Sequence, residues 1–332
     1  MKHNQRDSLS RRAMKLLCKL LGVILVVMLA ATFAFQHLLN QLNYVDPGPA
    51  DENSALSVFS AVDLGTLSSG SQEDRIGGAG SGIINILLIG QDRREGEAQA
   101  RSDSMILCTF NKETKQLTMT SFLRDLYVQI PGHHDNRINA AYSEGGMQLL
   151  NATLEQNFGL QIDGNVEVDF TQFSGIVDLL GGVEIELRQD EADVINKETG
   201  SALTAGVQIL NGTQALTYSR IRNLDSDGDF SRTNRQRKVM SALLEAYRDI
   251  RLSDVVPMLT QLLPMITTDM NHGQILMCAL EVLPYLSGAE IVSQRIPADG
   301  TYSDQTIDGM SVLVADMDAA RQMLKSTLLG NK

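Results

Sequence analysis

Apolar positions along the chain fall into three regimes, and each predicts a different kind of structure. Between Leu16 and Leu39 they run almost unbroken, with no charge from Leu20 to Phe35; as a helix this run is long enough to cross a hydrocarbon core of ~30 Å. Residues 40–82 follow with Pro47, Pro49, scattered acids, a Ser-rich stretch and Gly77-Gly78-Ala79-Gly80-Ser81-Gly82, a composition that buries no core and predicts a flexible tether. From Ile83 the pattern breaks into short elements. Ile83–Ile89, ending in Gly90, is the nearly continuous apolar run of a strand buried on both faces. Met105–Phe110 and Leu117–Phe122, separated by polar Asn111–Lys115, predict two neighbouring strands on a short turn. Helical spacing then places Met147, Leu150, Leu154 and Phe158 on one face, and recurs in Phe170–Leu180 before a Gly181-Gly182 stop. Asn211 and Ser231 read as caps of further helices, the second covering Arg232–Arg248. Helical stretches at 255–266 and 274–287, a strand at Glu290–Ile296 and a closing helix near Asp316–Leu329 complete the pattern. Strands alternating with helices predict an α/β fold over 83–332: a three-layer sandwich with a central mixed sheet flanked by helices, preceded by one N-terminal transmembrane helix.

Charge gives this layout a direction. Residues 1–19 hold six of the 28 basic side chains against Asp7 alone, leaving the remainder with 22 basic and 39 acidic residues and a net charge of −17. The basic cluster just before the apolar run places 1–15 in the cytoplasm, the helix at 16–39 in the cell membrane as a single pass, and the large domain outside. A cleaved signal peptide would need a shorter run with a small-x-small site after it; Ala30, Ala31 and Ala34 lie inside the run, so a retained anchor is expected. The acidic domain is a poor general binder of nucleic acid, so any anion it takes must meet a local cluster of cations. Cys18, Cys108 and Cys278 show neither a disulfide framework nor metal-ligand spacing.

Two polar groups carry candidate chemistry. Asp92, Arg93 and Arg94 follow the first buried strand, and Arg101-Ser102-Asp103 lead into the next. Ligands of α/β sheets gather at the carboxyl ends of strands, and two carboxylates beside arginines suit Mg²⁺ bound together with a diphosphate; a salt-bridged loop is the plainer reading. The second group is Arg220-Ile221-Arg222, Asp227-Gly228-Asp229, Arg232 and Gln236, with Arg235, Arg237 and Lys238 among them. Arg220 and Arg222 point the same way in extended chain, and Arg232 and Gln236 share a helix face. Arginine forks match phosphate oxygens and stay charged, although an ion-paired surface would use the same residues. Arg124-Asp125 and Arg137 add cations at strand ends. Phe158, Phe173, Ile176 and Leu180 either line an apolar groove or pack the core, with core the favoured reading. No Ser-His-Asp triad, histidine metal pattern or glycine-rich nucleotide loop is present.

These stretches, taken in order, resemble the LytR-CpsA-Psr family of bacterial cell-envelope proteins. The shared pieces are Asp92–Arg94, Arg101-Ser102-Asp103, Leu123-Arg124-Asp125, Arg137–Tyr142, Gly181-Gly182-Val183, Leu210-Asn211-Gly212 with Gln214–Tyr218, Arg220-x-Arg222 and Asp229-x-x-Arg232-x-x-x-Gln236. The resemblance implies a ligase of phosphotransferase type that moves a glycopolymer from undecaprenyl diphosphate to peptidoglycan, with Mg²⁺ at the diphosphate. By position, Asp92 and Asp103 would organise the metal. Arg94, Arg101, Arg124, Arg137, Arg232 and Gln236 would bind the diphosphate, while Arg220, Arg222 and Asp229 would serve catalysis. Attack of a wall-sugar hydroxyl at the anomeric carbon is the expected step. A non-catalytic envelope regulator and a polyprenyl-diphosphate phosphatase are the rival readings. Arg137 and Ser231 depart mildly from the family, which often has Lys and Gly there.

Overall fold

The computed structural model describes residues 37–45, 75–78, 81–91, 102–225, 228–248, 257–258, 260–286 and 288–330. The expected membrane span Leu16–Leu39 lies outside these except for its last three residues, and among the described residues no helix is long and apolar enough to cross a membrane. In chain order the strands are β1 (Asn43–Tyr44), β2 (Ile83–Gln91), β3 (Ser102–Asn111), β4 (Gln116–Phe122), β5 (Tyr127–Val128), β6 (Asn136–Arg137), β7 (Gly164–Asp169), β8 (Val183–Leu187), β9 (Gly206–Leu210), β10 (Thr267–Thr268), β11 (Glu290–Ile296), β12 (Tyr302–Ile307) and β13 (Met310–Ala315). The helices are α1 (Ile138–Phe158), α2 (Phe170–Leu179), α3 (Gln189–Thr199), α4 (Gly212–Arg220), α5 (Asp229–Arg248), α6 (His272–Leu286) and α7 (Met317–Leu329).

Seven strands form one mixed sheet in the order β1-β10-β7-β2-β3-β4-β11. Alternation along its central strands sends side chains to two different layers. Leu87, Ile89, Met105 and Leu107 pack with Phe122 and Ile296 beneath Leu150, Leu154 and Phe158 of α1 and Leu324 and Leu328 of α7. Leu88 and Ile106, one residue out of phase, face α2, α4 and α5 with Val166 and Val168 of β7. The expected α/β fold with a central mixed sheet is therefore what the chain adopts.

Three boundaries differ from expectation. Pieces of 40–82 belong to the folded unit: Asn43 and Tyr44 pair with Thr267 and Thr268, and Ile76 is fully buried and bridges Leu160. Asn85 explains the second piece. Its amide, buried near the start of β2, donates to Ile76 O at 3.0 Å and Gln161 O at 2.7 Å, so the strand needs that carbonyl nearby. Helix α1 starts at Ile138 rather than Met147, with a break at Gly145–Gly146, where Gly146 takes φ 61°. Helix α5 starts at Asp229, two residues before the expected Ser231 cap, placing Asp229 in its first turn. The Asn211 cap is as expected, reciprocated by Gln214. Gly212 behind it permits a close approach, since a Cβ there would lie 2.1 Å from Ser174 O; any side chain would push α4 off α2.

Candidate functional site

Strands β2 and β7 are parallel, as are β4 and β11, and β3 runs against β2 and β4. The carboxyl ends of those four strands thus meet the start of β3 at one edge of the sheet, the place where α/β folds present ligand sites. The β3–β4 register pairs Met105 with Phe122; two residues further, Asp103 faces Arg124, and Asp103 Oδ1 lies 2.9 Å from Arg124 Nη1. Arg124 Nε is 3.2 Å from Asp229 Oδ2 and 3.4 Å from Asp125 Oδ2, and Arg137 Nη1 reaches Asp125 Oδ1 at 2.9 Å. Asp229 also contacts Arg232 Nη2 at 2.9 Å and Arg222 Nε at 3.8 Å. One carboxylate thereby gathers three guanidiniums, and Arg137 stands behind them through Asp125.

Arg232 is the most enclosed of these, 2% exposed. Its Nη2 lies 3.4 Å from Asp103 O, while Nε and Nη1 meet no acceptor among the described residues. Burial, with help from Arg222 and Arg124 and against Asp229, pushes its pKa down to about 10. For Arg124 burial acts downward too, but Asp229, Asp103 and Asp125 together raise its pKa. Both remain cations near neutral pH. Four arginines, Arg124, Arg137, Arg222 and Arg232, thus share three aspartates, a local excess of positive charge inside an acidic chain.

Arg220 and Arg222 do not lie in extended chain. Arg220 ends α4, and Ile221 (φ −59°, ψ 126°) turns the backbone away, so the two side chains meet different neighbours. Arg220 stacks over the Phe170 ring, 4.6 Å from its centroid, whereas Arg222 turns to Asp229. Both line a polar groove of about 440 Å³ with Lys197, Glu198 and Asn223. On the other side of the last turn of α4, Leu216 and Ser219 line an apolar cavity of about 200 Å³ with Phe170, Phe173, Ile176 and Val239. Its other polar lining is Asp169, Ser104 and Gln236, the last two joined by a 3.1 Å hydrogen bond from Ser104 Oγ to Gln236 Oε1. Of the four residues left open between groove and core, Phe158 packs in the core under α1 and α7 and Leu180 against the core between α2, α4 and α5, Ile176 lines the cavity, and Phe173 does both.

Asp92, Arg94 and Arg101 lie outside the described residues, although Gln91 and Ser102, which flank that segment, stand at the same edge. Among the described residues there is no group of three metal-ligating side chains. Arg235, named in the sequence only as one of several cations, proves to be the strut of the site: Nε lies 2.8 Å from Glu191 Oε1, Nη1 donates to Ile221 O at 3.2 Å, and Nη2 contacts Asp225. Arg188 holds Asp225 from the other side at 2.8 Å. The carbonyl between Arg220 and Arg222 is thus pinned from α5. Glu167, also unanticipated, accepts from Tyr142, which in turn accepts from Gln91 at the end of β2. Cys108 and Cys278 are unpaired, and burial raises both thiols, Cys108 to about 12, which suits neither to nucleophilic attack.

The model of the LytR_cpsA_psr family matches residues 61–328. Among curated proteins, regulatory protein MsrR of Staphylococcus aureus (strain COL) is 32% identical over 252 residues, covering 74% of this chain and 75% of MsrR. The polyisoprenyl-teichoic acid–peptidoglycan teichoic acid transferase TagT of Bacillus subtilis (strain 168) is 38% identical over 178 residues, 52% of this chain and 55% of TagT. Among solved structures, TagT bound to LIIa-WTA superposes with a TM-score of 0.62 at 29% identity, covering 78% of this chain and 97% of that one. The family protein YwtF (TagT) with bound octaprenyl pyrophosphate lipid gives 0.59 at 26%, covering 77% and 95%. A family model spanning most of the chain, on a fold shared with those structures, shows that this protein belongs to the LytR-CpsA-Psr family.

Proposed function

We propose that this protein transfers a glycopolymer from a polyprenyl-diphosphate carrier to peptidoglycan. The observation that carries the reading is the adjacency of an apolar cavity and an arginine cluster: Gln236 and Ser104 rim the cavity, Asp103 beside Ser104 binds Arg124, and Phe170 of the cavity wall stacks under Arg220. An amphiphile with an isoprenoid tail and a diphosphate head matches that combination. The polar groove on the far side of α4, which shares Arg220 and Arg222, suits the sugars. The names of the relatives point the same way, TagT being a teichoic acid transferase and its structure holding octaprenyl pyrophosphate.

In this reading Arg124, Arg220, Arg222 and Arg232 bind the diphosphate and stabilise the charge that builds on the departing prenyl phosphate or diphosphate, the contribution that usually dominates such transfers. Asp229, engaged by three guanidiniums, aims them. Gln236 orients the head group at the cavity rim, and Arg137 supports Arg124 through Asp125. Arg94 and Arg101, in the segment that joins β2 to β3, would add to this charge. Asp103, whose Oδ1 alone is used by Arg124, and Asp92 are the carboxylates that would hold a Mg²⁺ ion, which together with phosphate oxygens would neutralise diphosphate charge. The anchor at 16–39 places the domain outside the membrane that holds the carrier.

Full-length protein incubated with a polyprenyl-diphosphate glycan, Mg²⁺ and peptidoglycan should yield wall-linked glycan. Phosphate release without attachment would mean a diphosphatase. Carrier binding without turnover would favour a regulator, the reading suggested by the name of MsrR. The lipid product decides the bond: polyprenyl monophosphate marks attack of the sugar hydroxyl at phosphorus, and polyprenyl diphosphate marks attack at the anomeric carbon.

A further inference from the structure

Helix α5 carries a second cationic group that the contacts around Asp229 do not use. Arg237 is 8% exposed, yet among the described residues its Nε and Nη1 meet no acceptor and no carboxylate pairs with it. Opposite it on the sheet, Ser121 of β4 and Arg295 of β11 are register partners. Their side chains point away from the face on which Phe122 and Ile296 join the α1–α7 core, and so toward α5. Ser121 Oγ and Arg295 Nη1 are likewise buried without a partner. Arg295 lies over the Phe230 ring at 4.2 Å, and Phe230 stacks on Tyr302 at 5.1 Å, which fixes the guanidinium while supplying no acceptor. Its one carboxylate partner among the described residues, Asp299, is 88% exposed and therefore well screened.

Buried charged donors left unsatisfied are costly, and two guanidiniums facing each other add repulsion. Burial first, and Arg295 second, push the Arg237 pKa down to about 10. In a chain with 40 acidic residues a neutralising partner was readily available, and among the described residues none is placed there.

We propose that Arg237, Arg295 and Ser121 form a second anion subsite that binds a phosphoryl group, separate from the cluster around Asp229. Four unpartnered donors, namely Nε and Nη1 of Arg237, Nη1 of Arg295 and the Ser121 hydroxyl, can be met in pairs by the two non-bridging oxygens of a phosphodiester or by the oxygens of free phosphate. Arg232 and Arg237 are five residues apart on α5, about 7.5 Å along its axis, so the two subsites are distinct positions on one helix. Resting on the transferase reading, the source is a phosphodiester within the glycopolymer; free inorganic phosphate is the other.

Crystals of the full-length protein soaked in tungstate, a phosphate mimic located by its anomalous signal, should show two anions. Arg237→Gln should remove only the one at Ser121, and Arg124→Ala only the one near Asp229. A single site near Asp229 in the wild type, or an unchanged second site in Arg237→Gln, would overturn the proposal. If Arg237→Gln does not fold, Arg295→Gln and Ser121→Ala carry the same expectation. Occupancy is read without turnover, so failure of the transferase reading and failure of this one are distinguishable. With activity in hand, Arg237→Gln should raise KM at least tenfold for a donor whose polymer contains phosphodiesters and leave KM for a phosphate-free donor within twofold. Unchanged KM for both, with the tungstate site lost, identifies free phosphate as the ligand. A matching rise for both donors would make Arg237 a structural support and sink the subsite.

Discussion

Asp229 sits where three guanidiniums converge, and its oxygens fix their directions more than they reduce their charge. Asp229→Asn should therefore lower kcat about 100-fold, the scale set by loss of one preorganised stabilising contact, while KM for the carrier moves far less. Equal changes in both, measured by steady-state kinetics, would show that Asp229 acts by binding alone. For Arg222, whose Nε faces Asp229, Lys should restore little of the activity lost in Arg222→Ala, because an ammonium carries charge without the planar fork; near-complete rescue by Lys would show that charge is all the position needs. Several of these residues could be read from the sequence, since arginines at i and i+2 beside an Asp-x-x-Arg helix start are dense in one short segment. Arg235 could not. Its partners Glu191 and Asp225 come from α3 and from the loop after Arg222, and only the packing of α3 against α4 and α5 reveals that it holds the Ile221 carbonyl. The splayed paths of Arg220 and Arg222 were equally hidden, being decided by the C-terminal turn of α4 at Ile221.

Among the elements, those stabilised locally matched expectation. The β3–β4 pair is joined by a short polar turn, and α4 is fixed by its Asn211–Gln214 capping box. Elements that exist only through distant pairing left no pattern: β1 and β10 are two residues each and join through Thr267 and Thr268, and Ile76 is held by Asn85. The loop between α4 and α5 belongs to this second kind, because it is shaped by Arg235, Arg188 and Asp225. Hydrogen bonds first from Arg188 and then from Arg235 hold the Asp225 carboxyl at about 2, below its ordinary 3.8. A carboxylate whose folded pKa is depressed contributes stability that is complete above the ordinary value and disappears as pH falls through the depressed one. Asp225→Asn should accordingly cost on the order of 1–2 kcal/mol above about pH 5, after allowance for solvent screening. The gap between mutant and wild type should close as pH approaches 2. A gap independent of pH in thermal melts would show that the clamp works by shape rather than charge.

For the molecule as a whole, the sheet brings together segments that no local pattern connects: β11 pairs with β4 across more than 160 residues of chain, and β7 places Val166 and Val168 beside Leu88 of β2 to form the cavity wall. A volume of about 200 Å³ lies below the range of roughly 300–1,000 Å³ that encloses whole ligands, so it suits only the first isoprene units of a carrier, with the rest left in the bilayer. Two consequences follow from that size. Shortening the prenyl chain to a few units should cost little affinity in detergent. Filling the cavity should cost a great deal: Ile176→Trp puts an indole where the tail would enter and should weaken binding of a prenyl diphosphate at least tenfold. Because overpacking alone can cost about 1–3 kcal/mol of stability, thermal melts must show the variant folded at the assay temperature. Inorganic pyrophosphate, which needs only the arginines, serves as the internal control and should bind the variant as it binds the wild type. Parallel loss of both ligands would mean that the cavity is part of the core and the tail lies elsewhere; loss of the lipid alone would join the cavity to the arginine cluster as one binding site.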